Sequence, residues 1–369
     1  MKPFGSFLTL LLLLGPVRGD WLSFRGPNQL GRSDERGLPI RWGPTENVLW
    51  KAKLPGHGGS SPVIVGDRVF VTSFTGAKAD ALVRFLHCFD RASGKLLWEQ
   101  KRAAILPEND YTYQILQHGF TTSTPCSDGE RLYVWFGRSG LYAFDLDGKE
   151  LWHRELGKGM NTFGSGASPI LLDDMLIVNA TTEAAELVAL DKRTGAIRWQ
   201  AKWLGDCWAT PVVVRLKDGR REIVLNGSAG IHGFDPKTGE RLWTCENVGG
   251  HVSGTPIVAG DLLYVSGANF GEKFTAALRA GGKGDVTESH VVWKNTKVGV
   301  NHSSPLLIGD RLYLFGGQAT ALDPAPAKSS RSEGSRDRSR NSIRRRCSPM
   351  GESTYSRGNP APTRWPPRT

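Results

Sequence analysis

Four histidines of this 369-residue chain precede a Pro at a matching place in an internal repeat. Imidazoles that converge on one point can bind a metal ion or an anionic ligand, so the sequence most favours binding chemistry here. A Cys, a Trp and an Asn occur at neighbouring positions, and we predict a ligand-binding channel rim from the whole set. The predicted rim residues are His57, His118, Cys207, Trp208, His251, Asn301 and His302.

The spacing of these histidines argues against a metal centre. They precede the repeat Pro by five, seven, five and three residues. The loop between the His and the repeat Pro would therefore have to place the imidazole at a metal ion from a different distance along the chain in each repeat. We predict no metal. The alternative to a ligand-binding rim is that the imidazoles only hydrogen-bond loop backbone beside a polar channel.

No motif in the sequence indicates a catalytic site. "GHGGSSP" and "GKGMNTFGSGASP" lack the Lys and the strand-to-helix context of a phosphate-binding loop. "DLDG" at 145–148 lacks the later acidic ligand of a calcium loop. The sequence thus assigns no catalytic residue.

The repeat that positions these residues contains four short strands per unit. A Ser-Pro or Thr-Pro pair begins each unit, and an apolar run, a Gly-Asp turn and a second strand such as "RLYVWFG" follow. The starting prolines are Pro62, Pro125, Pro169, Pro211, Pro256 and Pro305. Four strands in each unit of about 40 to 50 residues predict an all-β fold, a β-propeller of four-stranded blades. A β-sandwich would also give short strands, but without this regular recurrence.

A sequence motif of Asp, Gly and Trp connects the third and fourth strands, as in "FDPKTGERLW" at 234–243. The Asp carboxylate can accept hydrogen bonds from the turn backbone, while the Gly takes a positive φ. The turn then places the Trp on the outermost strand, where its ring can cover the neighbouring blade. We predict these structural roles for Asp90, Gly94, Trp98, Asp145, Gly148, Trp152, Asp191, Gly195, Trp199, Asp235, Gly239, Trp243 and Trp293.

This motif is complete in "DKRTGAIRW" and "DPKTGERLW". It resembles the tryptophan-docking repeat of the pyrroloquinoline-quinone (PQQ)-like propellers. That superfamily includes quinoprotein alcohol dehydrogenases and BamB-like outer-membrane assembly proteins. The opening segment "DWLSFRGPNQLGRS" is similar to exported PQQ-like repeat proteins of planctomycete-type bacteria. The resemblance covers residues 20–323 and implies seven or eight blades.

The resemblance leaves two functions open, because one fold hosts unrelated activities. The leading interpretation is a non-catalytic binding or scaffold module for a protein or glycan partner, with no cofactor. The alternative is a quinoprotein oxidoreductase that acts on alcohols or sugars with PQQ and calcium. Enzymes of that kind often carry a disulfide between adjacent cysteines, and this chain has no Cys-Cys pair.

The first residues predict a secretory signal peptide over 1–19, with Lys2, an apolar run at 7–14 and a small-residue cleavage pattern at 17–19. We therefore expect an exported protein, periplasmic or extracellular. No Cys follows the signal to accept a lipid. No other stretch is apolar over the roughly 20 residues that a membrane span requires.

Residues 324–369 are a predicted disordered basic tail, rich in Ser, Arg, Pro and Gly. The tail carries most of the formal net charge of +11, and residues 20–324 are almost neutral. We therefore predict no nucleic-acid binding. Because the strand pattern stops inside the sixth repeat, our hypothesis is that the tail derives from a shifted reading frame. A genuine tail that binds anionic polymers is the alternative.

The number of blades depends on that sixth repeat, which lacks its own outer strand. We predict a truncated ring of seven or eight blades. The alternative is a closed ring of six blades, in which the strand around Trp50 fills the vacant outer position. The oligomeric state is not indicated by the sequence.

Two segments lengthen the repeat and are candidate binding surfaces, residues 101–121 and 267–287. The alternative for each segment is that it covers a blade edge. The five cysteines form no CxxC pair, and we expect them to be mostly free and buried. A bridge between Cys207 and Cys245 is the alternative, which only geometry can test.

Overall fold

The computed structural model describes residues 19–76, 81–109, 115–202, 205–228, 230–246, 248, 253–269 and 272–325. Residues 1–18 of the predicted signal peptide, residues 326–369 of the predicted tail and His251 lie outside the described residues. The chain divides into two units, Met1–Pro326 and Ala327–Thr369. The fold below is that of the first unit.

Six antiparallel sheets follow one another along the chain, and the strands of each sheet pair in sequence order. Blade 1 contains β1 (Val63–Val65), β2 (Arg68–Thr75), β3 (Val83–Asp90) and β4 (Leu96–Ala103). Blade 2 contains β5 (Cys126–Ser127), β6 (Arg131–Trp135), β7 (Leu141–Asp145) and β8 (Glu150–Arg154). Blade 3 contains β9 (Ile170–Leu172), β10 (Met175–Ala180), β11 (Glu186–Asp191) and β12 (Ile197–Lys202).

The second half of the unit repeats this order with two variations. Blade 4 contains β13 (Val212–Arg215), β14 (Arg221–Gly227), β15 (Gly230–Phe234) and β16 (Arg241–Cys245). Blade 5 contains β17 (Ile257–Ala259), β18 (Leu262–Asn269), β19 (Glu272–Arg279) and β21 (Val291–Asn295), and the short β20 (Gly284–Asp285) joins blade 4 in parallel with β16. Blade 6 contains β22 (Leu306–Ile308), β23 (Arg311–Gly316) and β24 (Gln318–Leu322). The three one-turn helices of the described residues are α1 (Ile115–His118), α2 (Thr181–Ala184) and α3 (Thr287–His290).

The hydrophobic core lies between successive sheets. One cluster joins Phe70 of blade 1 to Leu132 and Phe144 of blade 2, and each of four further clusters joins the next pair of blades. The sheets that lie between two others, blades 2 to 5, therefore bury both faces, which explains why the middle strands of blade 2 are almost wholly apolar while its outer strand keeps exposed positions. Sheets packed face to face in series confirm the predicted all-β propeller.

The outer-strand Trp of one blade docks on the Asp-to-Gly turn of the following blade. Trp98 Nε1 donates to Leu146 O at 3.0 Å, and a Cβ added at Gly148 would lie only 2.9 Å from the Trp98 ring. Gly148 has a φ of +88°, so both the backbone and the ring require Gly here. Equivalent bonds of 2.9–3.2 Å join Trp50 to Arg91 O, Trp152 to Lys192 O, Trp199 to Pro236 O and Trp293 to Pro324 O.

The junction between blades 4 and 5 departs from this rule. Trp243 Nε1 donates to Glu222 Oε2 at 2.7 Å, within its own blade, and the same oxygen accepts the Gly281 N–H at 3.1 Å. Residues 280–290, which contain β20 and α3, replace the regular outer turn of blade 5. This part of the segment 267–287 covers the edge of blade 4, in agreement with the alternative stated for it.

The Ser-Pro and Thr-Pro pairs lie at one end of the blades, which we name the Pro face. The hydroxyl of each Ser or Thr accepts the backbone N–H of its counterpart in the preceding blade, as in the 2.9 Å bond from Ser61 N to Thr124 Oγ1. Among the described residues this chain of bonds has five links. It runs through Ser61, Thr124, Ser168, Thr210, Thr255 and Ser304. The Pro-face loops of all six blades are thereby held in register with one another.

The amino-terminal segment 20–31 crosses the first strands of several blades. Trp21 pairs with Ile64 of β1, and the carbonyl O of Leu22 accepts the N–H of Ser127. Further along, Arg25 donates to Pro305 O at 2.6 Å and Gln29 donates to Pro211 O at 2.9 Å. The segment therefore ties blades 1, 2, 4 and 6 together near the innermost strands.

The strand predicted around Trp50 does not complete blade 6 in the described residues. Trp50 docks on blade 1, as the Trp of a preceding blade would, but residues 47–54 form no strand. Blade 6 keeps three strands, with β24 at its edge. None of the helices described between residues 19 and 325 is long and apolar enough to span a membrane.

Candidate functional site

Three of the predicted rim residues converge on the Pro face. His118 Nε2 lies 2.8 Å from the carbonyl O of Phe163, and Trp208 Nε1 donates to Gly164 O at 2.9 Å. Burial lowers the pKa of His118, the hydrogen bonds with Phe163 and Gly119 raise it, and the charge of His302 lowers it. The loop at 163–164 thus brings His118 and Trp208 together, with His302 near them.

The remaining described rim residues have different surroundings. His57 is exposed and exchanges two backbone hydrogen bonds with Phe74, of 3.0 and 2.7 Å. Asn301 Nδ2 lies 3.4 Å from His302 Nε2. In the part of the chain that the structure describes, no three His, Cys, Asp or Glu side chains are grouped so that they could hold a metal ion.

Cys207 lies in the core between blades 3 and 4 rather than at the surface of the rim. Its Sγ is 2.8 Å from Asn226 O, and burial raises the pKa of the thiol to about 12. A protonated, buried thiol is a poor metal ligand. Cys245 is also free and buried, in the core between blades 4 and 5, so the structure contains no Cys207–Cys245 bridge.

A small cleft with a cavity volume of about 20 Å³ lies on the Pro face, lined by residues of blades 1 and 2 and the loops around them. This volume is about the room that one water molecule needs. Its walls come from the end of the segment 101–121, the β6–β7 connection, the loop at 160–165 and α2. They combine three aromatic residues with nine polar or charged ones, so the cleft is mainly polar.

Arg84 forms the floor of this cleft. Its side chain is 3% exposed and pairs with Glu108 at 2.6 Å. Arg84 also donates to Ser139 Oγ at 2.8 Å and to Phe120 O at 3.1 Å. With its donors bound and its charge neutralised by Glu108, Arg84 holds the loop that follows blade 1 against blade 2.

Arg138 is the second guanidinium of the cleft, and it is only partly buried. It donates to the carbonyl oxygens of Lys158 and Pro107, and neither acceptor carries a net charge. Within the described residues no carboxylate lies within 4.0 Å of Arg138. Arg138 therefore gives the cleft a positive charge that no ion pair cancels.

Trp135, the last residue of β6, lines the cleft and is 1% exposed. Its indole Nε1 is buried and has no hydrogen-bond acceptor among the described residues. A buried donor without an acceptor costs about 1–3 kcal/mol. Glu222 Oε1 and Asn226 Oδ1 are likewise buried without a partner among the described residues.

Glu183 of α2 lies directly behind the cleft wall. Its carboxylate accepts the Ser165 hydroxyl, and Ser165 lines the cleft. Burial raises the pKa of Glu183 to about 7, and the negative charge of Glu108 acts in the same direction, whereas the Ser165 hydrogen bond and Arg138 lower it. The charge of the cleft therefore changes near neutral pH.

Comparison with known proteins identifies the family. A sequence model described as "Outer membrane protein assembly factor BamB" matches residues 33–106 and 84–333. The chain belongs to the BamB family. BamB from Moraxella catarrhalis is similar in structure, with a TM-score of 0.54 and 16% identity over 76% of this chain and 77% of that chain. At this identity the likeness concerns the fold alone.

Other comparisons add little about the role of this BamB-family protein. A quinohemoprotein alcohol dehydrogenase from Comamonas testosteroni gives a TM-score of 0.39 and 16% identity, over 61% of this chain and 40% of that chain. A search of curated proteins found no match.

The BamB-family fold also bears on the alternative cofactor, PQQ with calcium. Calcium takes six to eight oxygen ligands, mainly carboxylates and carbonyls. Around the first strands of the blades, the structure instead places the guanidinium of Arg25, whose pKa burial lowers to about 10. No three acidic side chains are grouped for such an ion within the described residues, and the absence of a cofactor stays a prediction.

Sequence reasoning missed most of the cleft in this BamB-family chain. The sequence pattern does not distinguish Arg84, Trp135, Arg138 and Glu183 from structural residues. They lie in strands or in short connections of the repeat, where most residues are structural. The one signal in the sequence is the length of the segment 101–121, which predicts a binding surface. The end of this segment lines the cleft. His118 belongs to the same segment.

Proposed function

We propose that this protein is an exported, non-catalytic propeller that binds a protein or glycan partner on its Pro face. The observation that carries the proposal is the polar cleft beside His118, where Arg138 has no carboxylate within 4.0 Å among the described residues. Membership of the BamB family supports a binding scaffold. Export rests on the predicted signal peptide, and the periplasm or cell exterior is the proposed location.

The Pro face can be tested by blocking the cleft mouth. Met160 lines the cleft and is 55% exposed, so Met160→Arg places a bulky charge there while disturbing little packing. Ile308 is 52% exposed at the opposite end of blade 6, and Ile308→Arg is the matched control. Purified full-length protein is applied to a glycan array and to a panel of purified exported proteins.

We expect wild type and Ile308→Arg to bind the same partner, and Met160→Arg to lose most of that binding. Equal binding by both variants would place the partner elsewhere and contradict the proposal. The quinone alternative is tested on the same preparation, by dye-linked oxidation of alcohols and sugars after PQQ and calcium are added. Turnover in that assay, with no partner bound on the Pro face, would replace the proposed function.

A further inference from the structure

We propose that the loop at residues 157–166 is a pH-sensitive lid on the Pro face, closed while Glu183 is protonated and opened when Glu183 ionises. This inference goes beyond the proposed function, because it holds whatever the Pro face binds. It draws on the hydrogen bonds that close the loop, on the burial of Glu183 and on the charges around that carboxyl group.

Both ends of the loop are hydrogen-bonded to Glu183. Near the start of the loop, the N–H of Gly159 donates to the backbone carbonyl O of Glu183 at 2.7 Å. Near its end, the Ser165 hydroxyl donates to the carboxyl group of the same residue. A Cβ added at Gly159 would lie 2.6 Å from Thr182 O, so only Gly lets the loop backbone lie this close to α2. One residue of α2 therefore holds the loop at two places.

The middle of the loop is held by polar contacts at the surface of the Pro face. Phe163 O lies 2.8 Å from His118 Nε2, and Gly164 O accepts the Trp208 N–H at 2.9 Å. Met160 and Phe163 are 55% and 42% exposed, so the two largest apolar side chains of the loop remain in contact with water. Hydrogen bonds to water can replace the polar contacts, and opening the loop therefore gives up little apolar burial.

The ionised form of Glu183 is unfavourable in this closed arrangement. The residue is 4% exposed, and no basic side chain of the described residues forms an ion pair with it. A buried carboxylate that accepts one hydroxyl loses most of its hydration, so burial favours the protonated form. Two charged groups modify this preference, since Glu108 also disfavours the ionised form and Arg138 favours it. The result is a pKa of about 7 for Glu183.

Opening the loop relieves this penalty, because it lets water reach the carboxylate. In the open loop the pKa of Glu183 returns toward its ordinary value of 4.5. The closed loop is therefore favoured fully below about pH 4.5, and this advantage is lost as the pH rises through about 7. With these two pKa values, the equilibrium constant for opening increases about 70-fold between about pH 5 and about pH 8, and it levels off above about pH 7.

An open loop changes the Pro face. It moves the carbonyl oxygens of the loop away from His118 and Trp208, and it removes the part of the cleft wall that contains Ser165. The imidazole and the indole then exchange their loop acceptors for water. The lid thus makes the exposure of these two side chains depend on pH.

The test is hydrogen–deuterium exchange of the full chain from about pH 5 to about pH 8, read by mass spectrometry and corrected for the intrinsic pH dependence of amide exchange. The Gly159 N–H is the probe, because its acceptor is Glu183 O. The control is the turn at 216–220 in blade 4, where the Gly219 N–H donates to Leu216 O at 3.0 Å. We expect the corrected exchange of 157–166 to increase about tenfold to hundredfold over this range, while the control turn stays constant.

Two variants connect this opening to Glu183. Glu183→Gln keeps the shape of the side chain and an acceptor for the Ser165 hydroxyl, but it carries no charge at any pH. We expect its loop to keep the slow exchange of the low-pH protein over the whole range. Glu155→Gln is the matched control, since Glu155 is an exposed carboxylate just before the loop. Its exchange should follow that of wild type.

Infrared difference spectra of wild type follow the same titration without a substitution. A protonated carboxyl group has a C=O stretching band that the ionised group lacks. We expect such a band to disappear as the pH rises through about 7, and Glu183→Gln to lack this change. The wild-type spectra and exchange decide the matter should Glu183→Gln fail to fold.

The proposal is overturned if the corrected exchange of the loop is constant with pH, if Glu183→Gln keeps the pH dependence of wild type, or if no carboxyl band is lost as the pH rises through about 7. An equal increase in the loop and in the control turn would indicate opening of the whole protein and would also contradict it.

Discussion

Trp243 and Trp135 are each 1% exposed, yet only the first has a hydrogen-bond acceptor for its indole N–H. Trp243 lies between blades 4 and 5, where Glu222 binds both the indole and the Gly281 N–H. Trp135 lines the cleft, and no described residue accepts its N–H. The two regions differ in whether the indole N–H has an acceptor among the described residues.

This difference has an energetic meaning. A carboxylate paired with two buried donors stabilises the junction, because removing it would leave both donors without partners. An indole donor left alone destabilises the folded protein slightly, and proteins tolerate such a cost where it serves binding. The predictions below test whether the two indoles behave in this opposite way.

The largest effect is expected from Glu222→Ala. The change leaves the Trp243 and Gly281 N–H groups buried without an acceptor and opens a cavity, so we expect a loss of about 3–5 kcal/mol in the free energy of unfolding. Urea unfolding followed by circular dichroism measures it. Glu240→Ala, at an exposed position of the same blade, is the control and should change little. A loss below about 1 kcal/mol would show that Glu222 does not hold this junction.

The second effect concerns Glu183, the buried carboxylate that accepts the Ser165 hydroxyl. Because the pKa of Glu183 is about 7 in the folded protein and near 4.5 when unfolded, protonated Glu183 favours folding. Its contribution is complete below about pH 4.5 and is lost as the pH rises through about 7, a difference of about 3 kcal/mol. The unfolding free energy of wild type, minus that of Glu183→Gln, should therefore fall between about pH 5 and about pH 8. A difference that stays constant across this range would contradict the proposed state of Glu183.

The third effect comes from Trp243→Phe. The ring is retained, but the Glu222 carboxylate loses a buried donor, so we expect a cost of about 2–3 kcal/mol. Trp199→Phe is the matched variant at the regular junction, where the acceptor is the carbonyl of Pro236 rather than a charged group. We expect that variant to cost about 1 kcal/mol. Equal costs would indicate that the charge of the acceptor does not matter.

The smallest effect is expected from Trp135→Phe in the absence of ligand. Removing an N–H that already lacks an acceptor takes away a penalty of about 1–3 kcal/mol, which offsets the lost packing of the larger ring. The unfolding midpoint should lie within about 1 kcal/mol of wild type. A loss as large as that of Trp243→Phe would mean that Trp135 has a structural partner, and would remove its contrast with Trp243.

The blades could be predicted from the sequence because their signals are local. In "FDPKTGERLW" the Asp, the Gly and the Trp are close in the chain, so the turn and the register of the outer strand follow from nearby residues. Asp235 accepts the N–H groups of Lys237 and Thr238, as this reasoning expects. The hydroxyl chain from Ser61 to Ser304 went unnoticed, since its partners are 42 to 63 residues apart.

The candidate site depended far more on the tertiary structure. The sequence placed Cys207 and Trp208 together on a rim, but adjacent residues of an irregular loop point in different directions, and the thiol entered the core. Arg84, Trp135 and Glu183 come from three different blades, and no periodicity connects them. Their proximity follows from how successive sheets pack.

By itself, the sequence determined the all-β repeat, its turns and the spacing of its tryptophans, because these depend on backbone preferences and on contacts within one hairpin. Only the tertiary structure decided which atom accepts each indole N–H. At Trp199 the next blade supplies a carbonyl, at Trp243 the same blade supplies Glu222, and at Trp135 the described residues supply none. The acceptor of each indole N–H depends on how two sheets pack, because a buried donor can bind only an acceptor that lies within hydrogen-bonding distance.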